Sequence, residues 1–420
     1  MTEKEIAAIM EREGVDLVAA AEKARPIIDD VRARGDVAVL RYAKRLDGLR
    51  GDGLLVSEDT LKSARGRVPR ELLDALRTSK QRIESFHKRQ EPMQFQFQDR
   101  CGTFGQRIVP LKRVGIYVPG GSADYPSTVL MAAVPASIAG VEEIVLCTPG
   151  REGRIPDVVL AAADLCGVSE VYSVGGAQAI AAMAYGTATI KKVQKIVGPG
   201  GAIVTAAKLL VRNDCEIDFL AGPSEILVIA DAKGDPEMIA ADMLAQLEHD
   251  IMARALLITV SRRLANETKE CLERKLANAE RSAIAKKAAE KGAIFIVADD
   301  LDSALDFSNA YAPEHLLIDT LKPMNLMDRI ESAGSVFLGC NSSVAFGDYC
   351  SGTNHILPTK GVARMRSTLC VYDFQKTISY QSISPTGVRE LSGIVNTLAR
   401  SEGLPAHADA AMARMRRLKP

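Results

Sequence analysis

From Lys112 onward, short apolar runs alternate with helix-period segments, and this alternation constrains the fold more than any other feature. Residues 114–118 form an apolar run that closes on Pro119-Gly120-Gly121, and a helical period follows over 126–139. The pattern continues as strand 143–147 and helix 156–165, strand 171–174 and helix 177–185, then strand 193–197, Gly198-Pro199-Gly200-Gly201 and a helix to Val211. It resumes after Asp218 with strand 226–230, helix 236–249, strand 255–260, one or two solvated helices over 264–291, strand 293–298, helix 301–310 and strand 335–338. Short buried strands each followed by a helix predict βαβ units and mostly parallel sheets. The expected fold class is therefore α/β, with two βα arrays of Rossmann-like type. Small helical segments flank them: residues 1–24 and 24–46 read as helices with a break near Gly35, and 386–418 as helical with a break at Gly403-Leu404-Pro405.

Composition narrows the partners. The 420 residues carry 53 Lys+Arg and 53 Asp+Glu, so no charge surplus exists to attract a nucleic acid or an acidic membrane. There is no Trp, which argues against a base- or sugar-stacking platform. Eight cysteines lie apart without a CxxC pair, the usage expected of free thiols in a reducing compartment. The acidic, helical N-terminus does not read as a signal peptide. Residues 171–190 lack charge but contain Gly175-Gly176, Gln178 and two Thr, so they read as a buried strand–turn–helix and not as a membrane span. The expected location is cytoplasmic.

With only five histidines, each can be followed individually. In Gln246-Leu247-Glu248-His249-Asp250, positions i and i+3 of a helix bring an amide oxygen and an imidazole to one point, a pair that can bind a divalent ion. By that pattern alone an ordinary helix end is the commoner explanation. Glu314-His315 follows Pro313 at an element junction, where a carboxylate beside an imidazole suits acid/base chemistry or a solvated turn equally. Residues 347–355, GDYCSGTNH, form a polar, Gly-punctuated loop that offers Asp348 as a hard oxygen ligand and His355 as a substrate contact. His407 follows the helix break, and His87, in RIESFHKRQ, reads as surface. No G-x-G-x-x-G follows a strand and no P-loop is present. Three Gly-rich turns (120–121, 175–176 and 198–201) are expected on the carboxyl edge of one sheet, where backbone N–H groups can approach a phosphate.

Together these segments resemble the histidinol dehydrogenase family. The matching runs are GIYVPGG (115–121), YPSTVLMAAVPASIAGV (125–141), VGGAQAIAAMAYGT (174–187), AGPSEILVIAD (221–231), AQLEHD (245–250), NAYAPEHLLID (309–319), GSVFLG (334–339), GDYCSGTNHILPT (347–359) and EGLPAH (402–407). They stand in family order and cover nearly the whole chain. The resemblance implies an NAD-dependent enzyme with one zinc per subunit that oxidises L-histidinol to L-histidine through the aldehyde. It implies metal ligands at Gln246, His249, Asp348 and His407, and an acid/base pair at Glu314 and His315. Substrate contacts fall on Ser224, His355 and Glu402 together with the ligands and His315, and cofactor contacts on Tyr117, Gln178 and Gly201. It also implies an intertwined homodimer in which Glu402 and His407 reach the partner's site. The domains it implies are an N-terminal segment 1–13, a discontinuous α/β domain 14–116 with 226–369, a second, Rossmann-like domain 117–225 that contacts NAD, and a helical tail 370–420.

One departure stands out. Gly201 occupies a position where the family usually has Asn touching the cofactor. Other readings compete: a related zinc/NAD dehydrogenase of another polar alcohol such as a sulfonated diol, a metal-dependent hydrolase using Glu314 on bound water, and a non-catalytic binding protein. Retention of all four ligand positions and of Glu314-His315-His355 favours histidinol.

Overall fold

The computed structural model describes residues 3–12, 16–120, 123–150, 154–220 and 222–418. Two of the motif residues, Gly121 and Ala221, lie outside them. The chain divides into two compact units, residues 1–90 with 111–374, and residues 91–110 with 375–420. The finer division expected from the sequence, with boundaries near 117 and 225, falls inside the first unit.

Thirteen strands occur among the described residues: β1 (Phe95–Asp99), β2 (Gly102–Pro110), β3 (Arg113–Tyr117), β4 (Glu143–Thr148), β5 (Glu170–Ser173), β6 (Lys195–Val197), β7 (Glu216–Ile217), β8 (Glu225–Ala230), β9 (Arg254–Thr259), β10 (Ala293–Val297), β11 (His315–Asp319), β12 (Ser335–Leu338) and β13 (Gln375–Ile383). The first unit holds two all-parallel sheets, ordered β5-β4-β3-β6-β7 and β10-β9-β8-β11-β12. Both have the same topology, in which the chain starts centrally, winds outward on one side, then crosses to the other. The expected α/β class with two Rossmann-like arrays is what the chain adopts. Strand interiors explain why. EILVIA in β8 and ALLIT in β9 are buried throughout, as strands covered by helices on both faces must be.

Alternate side chains feed different cores. In the first sheet, Ile116 and Leu146 pack towards helices Arg70–His87, Pro126–Ile138 and Asp157–Leu165. Tyr117 and Cys147 pack towards helices Leu17–Arg34, Asp36–Leu46, Gly176–Tyr185 and Ala202–Val211. Residues 171–190 form the tail of β5, a turn and a buried helix, and no helix among the described residues is long and apolar enough to cross a membrane.

Three expectations change. The N-terminal stretch is not one helix: Glu3–Met10 ends early, and Asp16 caps a new helix at Leu17 by accepting the N–H groups of Val18 and Ala19. His87 is not on the surface; it is fully buried, with Nδ1 2.8 Å from Gln90 Oε1, and burial lowers its pKa. The C-terminal tail is not wholly helical, because it begins with β13, which pairs antiparallel with β2 over Gln375–Ile383. In the second unit β1, β2 and β13 make a three-stranded antiparallel sheet, followed by helices Pro385–Ser401 and Pro405–Arg417.

Candidate functional site

The expected acid/base pair sits at the amino end of β11. Helix Leu301–Tyr311 ends with Ala312 in the left-handed region, Pro313 prevents continuation, and Glu314 and His315 open the strand. Both side chains are buried. Glu314 Oε2 accepts the backbone N–H of Glu225 at 2.8 Å and lies 3.5 Å from His315 Nδ1. His315 Nδ1 lies 3.1 Å from the Glu225 carbonyl oxygen, so Nδ1 carries the proton and donates. Its Nε2 is left without a hydrogen bond and faces Asp348 Oδ1 at 3.5 Å. Burial opposes charge on His315, yet Glu314 and Asp348 together outweigh it and raise its pKa well above the ordinary value.

Asp348 lies in the short helix Val344–Tyr349, so the expected loop is helical in its first part. Burial alone would raise its pKa, but the nearby imidazoles of His315, His355 and His249 reverse this and lower it. His355 Nδ1 lies 2.8 Å from the Asp348 carbonyl oxygen and Nε2 3.3 Å from Thr128 Oγ1, while burial lowers its pKa. The loop that carries His355 is pinned by Asn354, which donates to the Met131 carbonyl at 2.7 Å and approaches buried His87 at 3.4 Å. Helix Pro236–Leu247 ends before His249. A final tight turn, with His249 N–H donating to the Gln246 carbonyl at 3.3 Å, completes the expected i, i+3 pair. A cavity of about 350 Å³ is lined by Tyr125 and Ser127, from the segment after β3, together with Glu248, His249 and Tyr349. The carboxyl edge of the first sheet thus meets the amino edge of the second.

Whether these residues suit a divalent cation can be tested on their own chemistry. The Gln246 amide is buried and its nitrogen has no partner, His249 is exposed beside it, and Asp348 is a carboxylate already held in its ionised form. An amide, which ligates through its oxygen, at a helix C-terminus, an imidazole and an ionised carboxylate are donor types that a zinc-type ion takes. Among the described residues no three His, Cys, Asp or Glu side chains form a closed cluster. The expected ligand set draws Gln246, His249 and Asp348 from the first unit and His407 from the second. Glu402 and His407 lie in the second unit, exposed, at the C-cap of helix Pro385–Ser401 and in the first turn of helix Pro405–Arg417.

The Gly-rich turns lie on the carboxyl edge of the first sheet, after β3, β5 and β6. Tyr117 is buried, its phenol is pushed up to about 12 by burial, and its hydroxyl accepts the Gly176 N–H at 3.2 Å. Gly198 has φ +115°, and a Cβ there would meet the Tyr117 carbonyl oxygen at 2.1 Å, so only glycine fits. Gly201 is the N-cap of helix Ala202–Val211, and a Cβ would meet nothing within 4 Å. Gln178 is fully buried, donates Nε2–H to Asp47 Oδ2 at 3.0 Å and leaves Oε1 unpartnered.

Several residues at the site were not singled out for it by sequence. Asp47, beyond the end of helix Asp36–Leu46, also accepts the Gly175 N–H at 2.9 Å and so fixes that turn. Lys208 and Asp218, both buried, form an ion pair that grips Gly198 from both sides. Glu225 holds both Glu314 and His315 through its backbone. The one signal available in advance was the charge that opens the otherwise apolar EILVIA strand.

Gly-rich turns on the carboxyl edge of a parallel sheet, in one α/β chain with a buried carboxylate–imidazole pair, are the features of a dinucleotide-dependent oxidoreductase. The family model for histidinol dehydrogenase matches residues 10–415. The histidinol dehydrogenase of Methanothermobacter thermautotrophicus is 47% identical over 415 residues, spanning 98% of this chain and 97% of that protein. That of Archaeoglobus fulgidus is 45% identical, spanning 94% and 96%. The crystal structure of histidinol dehydrogenase from Elizabethkingia anophelis superposes with a TM-score of 0.95 at 38% identity, covering 100% of this chain and 97% of that one. The chain belongs to the histidinol dehydrogenase family and is an NAD-dependent oxidoreductase.

Proposed function

We propose that this protein oxidises L-histidinol to L-histidine in two hydride transfers through the aldehyde, as a cytoplasmic homodimer that uses NAD and zinc. The observation that carries the reading is the orientation of His315. Its Nδ1–H is spent on the Glu225 carbonyl, which leaves Nε2, without a hydrogen bond and turned towards Asp348, as the atom that exchanges a proton with the substrate hydroxyl; Glu314 and Asp348 favour the charged ring, so the base form gains as pH rises. Gln246, His249 and Asp348, with His407 of the partner copy, would hold the metal. When bound, zinc orients the substrate's nitrogen donors and NAD takes up the hydride.

The chain's own groups do the rest. His315 Nε2 takes the proton of the substrate alcohol, and Glu314, 3.5 Å from Nδ1, stabilises the imidazolium that results. Glu314 is tethered through Oε2 alone; its other oxygen is available to take a proton from the water that adds to the aldehyde. His355, held by Thr128 and the Asp348 carbonyl, Ser224 and Glu402 complete the substrate's polar contacts. Tyr117, Gln178 and Gly201 border the cofactor on the first sheet. The test is stoichiometric: purified protein, zinc, NAD and L-histidinol should give two NADH per histidinol consumed. One NADH, or none, would refute the four-electron reading.

A further inference from the structure

We propose that Arg12, in the segment just after the N-terminal helix, is a positioning residue that locks Glu225 and, through it, the Glu314–His315 pair. The inference rests on the reading of that pair as the acid/base centre. Helix Glu3–Met10 docks on the second sheet by half-burying Ile9 and Met10 against its core, and Arg254 Nη1 donates to the Ile9 carbonyl at 3.0 Å. Arg254 is the β9 residue opposite Glu225, so the helix end is tied down beside that residue.

Arg12 then reaches inward. Its side chain is 7% exposed, and its Nε lies 3.2 Å from Glu225 Oε2, itself 2% exposed. Its guanidinium lies 3.7 Å over the Tyr311 ring and donates to the Tyr311 carbonyl. The Tyr311 hydroxyl donates to Glu225 Oε2 at 2.9 Å, and the Lys360 N–H to Oε1 at 3.1 Å. Both of those donors are neutral. Among the described residues Arg12 is the one cation paired with this buried carboxylate, and a buried charge needs a partner.

The backbone of Glu225 is what touches the acid/base pair. Its N–H holds Glu314 Oε2 and its carbonyl holds His315 Nδ1. Two non-glycine residues among the described ones have left-handed φ, Ala312 at 52° and Lys360 at 55°. Both flank this knot. Ala312 sits between Tyr311, whose carbonyl Arg12 grips, and Pro313-Glu314; Lys360 supplies an N–H to Glu225. Backbone held in sparse regions persists where its surroundings over-determine it. Here the surroundings converge on Arg12, which touches neither Glu314 nor His315.

The test is steady-state kinetics on the zinc-loaded full chain with L-histidinol and NAD. Arg12→Met keeps the apolar stem and removes the charge. Its kcat should fall at least about tenfold, with KM for both substrates within about twofold, because a displacement well under 1 Å at a reacting pair costs rate before binding. Adding Glu225→Gln should restore kcat to within roughly threefold of wild type, since the amide can donate to Tyr311 once Arg12 is gone. Arg12→Lys, which preserves the charge, should stay within about tenfold and serves if the Met variant does not fold. A kcat within twofold for Arg12→Met, or a double variant as slow as the single one, would overturn the proposal and leave Arg12 a tie for the helix. Wild-type turnover in His315→Asn would instead remove the acid/base reading, and this inference with it.

Discussion

Replacing Lys208 by Met should separate what holds the cofactor edge from what does the chemistry. Lys208 Nζ donates to the Gly198 carbonyl at 2.9 Å and pairs with Asp218 Oδ1, while Asp218 Oδ2 accepts the Gly198 N–H at 2.7 Å. Both side chains are 2% exposed, so Lys208→Met strands a carboxylate where water cannot reach it. Removing one partner of such a pair costs about 3–5 kcal/mol. For a folded unit of roughly 350 residues the unfolding entropy is about 0.7 kcal/mol/K, so the loss corresponds to a Tm drop of about 4–7 °C. The Gly198 turn, freed on its carbonyl side beside Tyr117, should raise the KM for NAD by roughly tenfold, with the KM for histidinol unchanged. Adding Asp218→Asn removes the stranded charge and keeps an acceptor for the Gly198 N–H, so more than half of the lost Tm should return. Thermal unfolding with NAD titration reads both effects. A Tm within 1 °C of wild type together with a KM for NAD within twofold would refute the account of this pair as the clamp on the turn.

Three further outcomes follow from the same geometry. Gly201→Asn adds a side chain into open space at a helix N-cap, where Asn is favoured, and should lower the KM for NAD a few-fold without loss of Tm; an unchanged or raised KM refutes the open-space argument. Burial and the neighbouring Glu314 raise Glu225 to about 7, with Arg12 opposing them, against an ordinary 4.5. The folded state therefore binds this proton more tightly than the unfolded chain. The stabilisation is fully present below about pH 4.5 and is lost as pH rises through 7, amounting to about 3 kcal/mol. The stability difference between wild type and Glu225→Gln, followed by denaturant titration from pH 4 to 8, should fall along that slope, and a flat difference would contradict it. If His407 serves the partner's site, mixing inactive His315→Asn and His407→Asn chains under conditions that exchange subunits should restore roughly a quarter of wild-type activity, one site in two in half of the dimers; no recovery in verified mixed dimers would place His407 elsewhere.

The parallel sheets were legible because their strands are buried on both faces and stand out as apolar runs between Gly-punctuated turns. Strands β8, β9, β10 and β12 fall within a residue or two of where periodicity puts them, and β11 occupies the apolar run after Glu314-His315. Strands β1, β2 and β13 were not recognised, although FQFQ in β1 alternates, because β1 and β13 leave most of their residues exposed in this chain and present no continuous apolar run. His87 was misplaced for a related reason. Its charged neighbours suggested a solvated face, but one side of helix Arg70–His87 is core, and His87 lies on it with Leu76 and Ile83. Glu314, His315, Asp348 and His355 could be singled out because polar groups beside glycine and proline at element junctions carry their own signal. Asp47, Asp218 and Glu225 could not, since their roles depend on partners 128, 20 and 89 residues away in sequence.

The two sheets share one topology but, in the function proposed above, present opposite edges to the reaction. Gly-rich turns that follow β3, β5 and β6 occupy the carboxyl edge of the first, as open α/β sheets ordinarily arrange a nucleotide site. In the second sheet, Ser224, Glu225, Glu314 and His315 all lie at the amino ends of β8 and β11, and the Gln246 helix delivers its C-terminus to the same edge. That choice has an electrostatic reason. The carboxyl edge of the first sheet offers the N-termini of helices Gly176–Tyr185 and Ala202–Val211, which suit a pyrophosphate. The amino edge of the second offers a helix C-terminus, the Glu225 carbonyl and the carboxylates of Glu314 and Asp348, which suit a cation and a developing imidazolium. A reaction that moves hydride to a dinucleotide and a proton to a base needs both fields side by side. Opposed edges supply them with one fold used twice.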